Sequence, residues 1–197
     1  MADRYDSRWK GYIVSTLQKA YEVLNPTVDE RILDIACGTG ALEEIILKNH
    51  PYQHIFGLDL AEGMLGMACK KFTTHPNVHF LRGNASKLPF HIESFDIIVC
   101  CNSLHYFIEP SKVLAECHRV LNPNGRLILL DWCRNYLTCQ LLEIFHRVLG
   151  PTYHRCYRFE ELQGIIEGEK FQICSKMMFR VNILWGMMLF ETIKKEP

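Results

Sequence analysis

Apolar residues follow two alternating rhythms along this chain. Short unbroken runs, such as Ile32-Leu33 with Ile35 and Ile97-Ile98-Val99, read as strands buried on both faces. Between the runs the apolar positions spread to helical spacing, as at Leu42, Ile45 and Ile46. The pattern predicts strands at 54–60, 78–82, 96–101 and 126–131, with helices at 41–48, 61–72 and about 110–121. Further helices are expected at about 135–148, ending at Gly150-Pro151, and at 159–167, and late strands at about 171–180 and 184–193. Regular alternation of this kind specifies a parallel sheet with helices on both faces. Ahead of it, Tyr5, Trp9, Tyr12, Ile13, Leu17, Tyr21 and Leu24 give residues 5–24 helical spacing, closed by Asn25-Pro26.

The chemistry concentrates where the first strand ends. Arg31-Ile-Leu-Asp-Ile-Ala-Cys-Gly-Thr-Gly40 runs from a strand into two glycines and then a helix. A strand–glycine turn–helix unit turns helix N–H groups toward a ligand, and glycine lets the backbone approach it closely. A second element, Ile55-Phe-Gly-Leu-Asp59-Leu60, puts a carboxylate at the next strand end, where it can accept both hydroxyls of a ribose. A dinucleotide fingerprint needs a third glycine at position 43, which is Glu43, and this weakens the reading as a nicotinamide-dependent oxidoreductase.

Five motifs resemble those of the class I S-adenosylmethionine (SAM)-dependent methyltransferases, in that family's order. Asp34-Ile-Ala36-Cys-Gly38-Thr-Gly40 resembles D/E-x-G/A-x-G-x-G, and Asp59-Leu-Ala-Glu-Gly-Met64 resembles D-x-S-x-x-M. Gly83-Asn84-Ala85-Ser-Lys-Leu-Pro-Phe90 is similar to G-D-A-x-x-L-P-F. Phe95-Asp-Ile-Ile-Val99 is similar to F-D-x-V/I, and Leu121-Asn-Pro-Asn-Gly-Arg-Leu127 to L-K-P-G-G-x-L. The resemblance is to the compact type related to quinone- and lipid-precursor enzymes, often labelled methyltransferase type 11. It implies an α/β fold: a Rossmann-like, seven-stranded, mostly parallel sheet with helices on both faces and an antiparallel last strand. Residues 1–197 then form one domain, with 1–25 a helical lid segment, 30–132 the SAM-binding core, and 133–197 the rest of the sheet and the substrate wall.

The resemblance also distributes roles. Gly38 and Gly40 pass beside the methionine portion of SAM, supported by Asp34 and Ala36, while Asp59 takes the ribose diol. Leu60 or Met64 packs on the adenine. Asn84 stands where the family has aspartate, keeping one carbonyl acceptor for the adenine amino group, and Ala85 offers its N–H. The backbone near Cys101 and Asn102 faces the methionine amino group, and Tyr5, Trp9 and Tyr12 close over the cofactor. His105 is read either as a general base or as a residue packed under its loop. Asp131 and His154 are the other catalytic candidates, with Trp132 and Arg134 on the substrate wall.

Composition narrows the partners. Lysine plus arginine and aspartate plus glutamate both number 22, so no basic excess exists to bind a phosphate backbone, and no nucleic acid is expected. The N-terminus carries no apolar signal, and Ile183–Phe190 is too short to span a bilayer, so no stable membrane insertion is expected. The nine cysteines form no C-x-x-C pair, which fits reduced thiols, a cytoplasmic setting and no metal site. The expected activity is in-line transfer of a methyl group from SAM to a small-molecule acceptor by a monomer or weak homodimer. Three rivals are a SAM-binding regulatory or scaffolding protein without catalysis, a metalloid methyltransferase using Cys101, Cys133, Cys139 and Cys156, and the nicotinamide oxidoreductase.

Overall fold

The computed structural model describes residues 5–149 and 154–195. Its strands are β1 (Arg31–Ile35), β2 (His54–Asp59), β3 (Val78–Arg82), β4 (Phe95–Cys101), β5 (Leu121–Trp132), β6 (Phe171–Arg180) and β7 (Gly186–Lys194). They form one seven-stranded sheet in the order β3-β2-β1-β4-β5-β7-β6. Neighbours from β3 to β5 pair in parallel, whereas β7 runs antiparallel to both β5 and β6. The helices are α1 (Tyr5–Leu24), α2 (Ala41–Asn49), α3 (Glu62–Lys71), α4 (Pro110–Val120), α5 (Leu137–Leu149) and α6 (Phe159–Gly168).

Successive side chains of a strand point to opposite faces, and this sheet fills both faces with apolar groups. Leu33, Ile98 and Leu127 join Val113 and Leu114 of α4 and Leu162 and Ile166 of α6 in one core. Their strand neighbours Ile32, Ile97 and Ile128 join Leu17 and Leu24 of α1 and Leu42 and Ile46 of α2 in the other. The unbroken apolar runs of the sequence arise from this two-sided burial. Strand order reverses between β1 and β4, so the loops after these strands flank the crevice where open α/β sheets bind ligands.

Two strand starts differ from expectation, each for a local reason, and one turn is added. The fifth strand begins at Leu121 rather than 126: Leu121 pairs with Phe95 and Arg126 with Ile97, so the Asn122–Gly125 turn is absorbed as an irregularity. The last strand begins at Gly186 rather than 184, because Asn182 Oδ1 accepts the N–H groups of Leu184 and Trp185 and holds them in a turn. A single 3-10 turn at Leu104–Tyr106, unexpected from the sequence, carries His105. The stop expected for α5 at Gly150-Pro151 lies outside the described residues.

The glycine turn is anchored from beneath. Gly38 and Gly40 adopt φ of +59° and +77°, conformations that cost an L residue about 1–2 kcal/mol. The two serve different ends. A Cβ on Gly40 would lie 2.6 Å from the Phe72 ring, so this glycine makes room for the aromatic side chain at the end of α3. A Cβ on Gly38 would meet nothing within 4 Å, so this glycine borders open space. Below the turn, Asp34 and Glu43 are both buried. Burial, reinforced by Glu43 and Asp59, raises the Asp34 pKa well above the ordinary carboxylate range. Burial pushes Glu43 up to about 7, although nearby Lys71 opposes the shift.

Two outcomes are expected. Gly40→Ala combines backbone strain with a ring clash and should cost about 2 kcal/mol or more in urea unfolding, well beyond Gly38→Ala. Glu43 has its folded pKa raised, so the folded state holds the proton more tightly, and stability falls as pH rises from the usual glutamate range through about 7. Glu43→Gln should therefore be about 1–3 kcal/mol more stable than the parent at pH 8, with the gain vanishing near pH 4–5. Parallel melts across that range check it.

Candidate functional site

The carboxyl ends of β1 and β2 are stitched together by a few polar bonds. The Leu58 carbonyl accepts the N–H groups of Ala36 at 2.7 Å and Cys37 at 3.2 Å. Beside it, Asp59 Oδ2 accepts the Gly38 N–H at 2.8 Å, and Oδ1 accepts the Ala61 N–H at 2.8 Å. The loop leaving β1 is thus hung from the end of β2. Ala36 itself takes a φ of +60°, a strained conformation for alanine that these bonds hold in place. Asp59 is half-buried at the loop's edge, with Leu60 exposed beside it and Met64 half-buried on α3.

Past β3, Asn84 is exposed and its Oδ1 accepts the Ser86 N–H at 2.9 Å, which folds the Asn84–Lys87 turn. Ala85 is buried in that turn. Past β4, Cys101 is buried and Asn102 stands at φ +55°. The Asn102 amide is gripped from α1: Oδ1 accepts from the Tyr12 hydroxyl at 2.7 Å, and Nδ2 donates to Thr16 Oγ1 at 3.0 Å. Tyr12 in turn accepts the Trp132 indole N–H at 2.6 Å. All three tryptophans of the chain meet here, with Trp185 centred 6.0 Å from Trp9 and 4.8 Å from Trp132.

His105 and Asp131, separate candidates in the sequence, form one buried pair, each 2% exposed. Asp131 Oδ1 lies 2.7 Å from the imidazole Nδ1, while Oδ2 accepts the main-chain N–H of His105 at 2.8 Å. The imidazole stacks on Trp132, ring centres 4.2 Å apart and 10° from parallel. The His105 carbonyl accepts the N–H groups of His154 and Arg155, each at 3.0 Å, so the exposed His154 is brought beside it through its backbone.

The described candidates therefore fall in two groups near the strand ends: Ala36 to Ala85 at the ends of β1 to β3 with Asp34 buried beneath, and Tyr12, Cys101, Asn102, His105, Asp131 and His154 near the tryptophans. The side chain of Tyr5 lies outside the described set. Sequence reasoning missed Thr16, Trp185 and the buried carboxyl of Glu43, and it did not pair His105 with Asp131. The pairing had a signal, since His105 follows the end of β4 and Asp131 lies near the end of β5, and these strands are neighbours in the sheet.

The cysteines are poorly suited to holding a soft ion. Burial raises the thiol pKa of Cys101, Cys139 and Cys156 and pushes Cys133 up to about 11, which disfavours thiolates. Among the described residues no group of histidine, cysteine and acidic side chains is placed to hold a metal ion.

Comparisons with known proteins converge on one family. The family described as "Methyltransferase domain" matches residues 33–129. The chain is 34% identical over 126 residues to the demethylmenaquinone methyltransferase of Thermotoga maritima, covering 64% of this chain and 51% of that protein. It is 36% identical over 161 residues to a ubiquinone/menaquinone biosynthesis C-methyltransferase of Campylobacter jejuni, covering 73% of this chain and 67% of that protein. The chain thus spans about half the length of the Thermotoga relative. The magnesium protoporphyrin IX methyltransferase of Synechocystis PCC 6803, solved with bound SAH, shares the fold with a TM-score of 0.73 at 18% identity, over 92% of this chain and 84% of that one. Motif order, strand order and these relatives together establish that the chain belongs to the methyltransferase-domain family of SAM-dependent class I enzymes.

Proposed function

We propose that residues 1–197 act as one domain that methylates a small-molecule acceptor of the quinone or lipid-precursor type, using SAM, in the cytoplasm and as a monomer or weak homodimer. The observation that carries this reading is the rim around Asp59 and Gly38: a carboxylate at one strand end beside a glycine whose Cβ position faces open space. The similarity to a demethylmenaquinone methyltransferase and to a ubiquinone/menaquinone biosynthesis C-methyltransferase supports a quinone precursor as acceptor.

The residues present fit SAM. Asp59 keeps lone pairs beyond its two loop bonds for the ribose hydroxyls. Gly38 gives the methionine portion its approach, and Asp34 and Ala36 support that loop. Leu60 and Met64 offer apolar surface to the adenine, and Ala85 a main-chain N–H. Asn84 spends one acceptor position on Ser86 and retains another for the adenine amino group. Cys101 and Asn102 supply backbone to the amino-acid end, with Tyr12 closing from α1. When bound, SAM supplies a methyl group activated on a sulfonium, so the protein's contribution is chiefly alignment, which is worth about 7–11 kcal/mol.

On this reading His105 positions the wall rather than moving a proton. Its ring, N–H and carbonyl are all engaged, with Asp131, Trp132 and the 154–155 backbone. The 2.7 Å contact between carboxylate and imidazole favours a second reading, in which Asp131 fixes the tautomer of a general base.

Labelled SAM presented with a series of demethylated quinone and phenolic acceptors tests the activity; label should enter the acceptor, and binding without turnover across the series would leave only a SAM-binding protein. Asp59→Ala should weaken SAM binding by about 1.5–3 kcal/mol in a folded protein; unchanged affinity would take Asp59 off the ribose. His105→Gln should lower the melting temperature and slow single-turnover transfer by the same factor for protonated and pre-ionised acceptors. A loss confined to the protonated acceptor, about 10²–10⁴-fold, would identify the histidine as the base.

A further inference from the structure

Helix α5 turns its apolar side the wrong way for a buried helix. Cys139 and Glu143 are buried against the protein, with Cys139 Sγ near the Gly186 carbonyl and Glu143 paired to Arg134. The outward positions are Leu137, Leu141, Ile144 and Phe145, a stripe at helical spacing that is 57% to 68% exposed. Ile183 and Leu184, in the turn ahead of β7, add side chains 83% and 53% exposed. Both segments reach Gly186: Cys139 and Tyr136 touch it from the α5 side, and the turn runs directly into it. Several large apolar groups exposed on adjoining segments mark an interaction surface.

Charge indicates what meets it. The whole chain is neutral, yet a guanidinium stands at the start of this face: Arg134, which precedes α5 and pairs with the buried Glu143. Arg180 adds a further guanidinium, lying over Tyr136 and donating to the Ile183 carbonyl at the root of the turn. An apolar helical stripe flanked by guanidinium groups, here Arg134 and Arg180, is the pattern of a helix lying in the plane of an anionic bilayer, with side chains among the acyl chains and guanidinium groups at the headgroups. No helix among the described residues is long and apolar enough to cross a membrane, so the contact is peripheral.

We propose that the face formed by α5 and the 183–184 turn docks this protein on an anionic membrane surface. Leu142 of the same helix packs in the core that holds Trp132 and Trp185, so docking sets the tryptophan end of the rim against the bilayer. The proposal is independent of which acceptor is methylated.

Vesicle flotation of the full chain tests it, with phosphatidylcholine vesicles compared with vesicles of phosphatidylcholine and phosphatidylglycerol. The chain should float with the anionic vesicles, release in high salt, and bind the neutral ones weakly. Leu141→Gln combined with Ile144→Gln should reduce partitioning about tenfold, and Arg180→Gln should reduce it only for anionic vesicles, with SAM binding and melting temperature kept in both variants. Failure of the parent chain to bind anionic vesicles, or equal binding by the double variant, would overturn the proposal. So would a dimer of the parent chain in sedimentation that the double variant dissolves, which would assign the face to a second copy.

Discussion

The loop at the end of β1 can hold its shape because the end of β2 receives its N–H groups. Leu58 and Asp59, adjacent on that strand, accept bonds from Ala36, Cys37 and Gly38. Those bonds hold left-handed backbone at Ala36 and Gly38, which would otherwise relax. Everything on the ligand side follows from this suspension: the start of α2, the open space over Gly38, and the placement of the Asp59 carboxylate. Its underside is costly, since Asp34 and Glu43 are buried together and both favour the protonated state. The site is therefore built over strained backbone and desolvated acid that the two packed cores must sustain.

The opposite side of the rim is built differently. Aromatic rings and a buried histidine–aspartate pair form the wall. Tyr12 links three elements through one hydroxyl, donating to Asn102 after β4 and accepting from Trp132 at the end of β5. That bond and the contacts of Trp9 with Trp185 seat the first half of α1 over the strand ends, while Leu17, Ala20 and Leu24 bury its second half. Successive turns of α1 therefore have different neighbours, the tryptophan cluster for Trp9 and Tyr12 and the apolar core for Leu17, Ala20 and Leu24.

Much of this was legible in the sequence because each signal was local. The apolar runs located all seven strands within a few residues, and the order of the motifs implied the fold that the sheet displays. Gly38, Gly40 and Asp59 stood out because their motifs lie within a few consecutive residues, and the Asp59 carboxylate does accept the Gly38 N–H. What escaped depended on contacts between distant positions. Asp131 and His105 are 26 residues apart, and only the pairing of β4 with β5 unites them. Glu43 read as a missing glycine, since nothing in its neighbours reveals that its position on α2 faces the core. The outward apolar stripe of α5 looked like any amphipathic helix, because periodicity gives the stripe and not the side on which the protein lies.

The central claim is that this rim recognises an adenosine bearing one ribose diol and an amino-acid tail, not a dinucleotide. Calorimetry with S-adenosylhomocysteine and with NAD, on the same protein preparation, tests it most directly. The account predicts low-micromolar affinity for S-adenosylhomocysteine, about −8 kcal/mol, and no heat with NAD. Binding of NAD without binding of S-adenosylhomocysteine would contradict it.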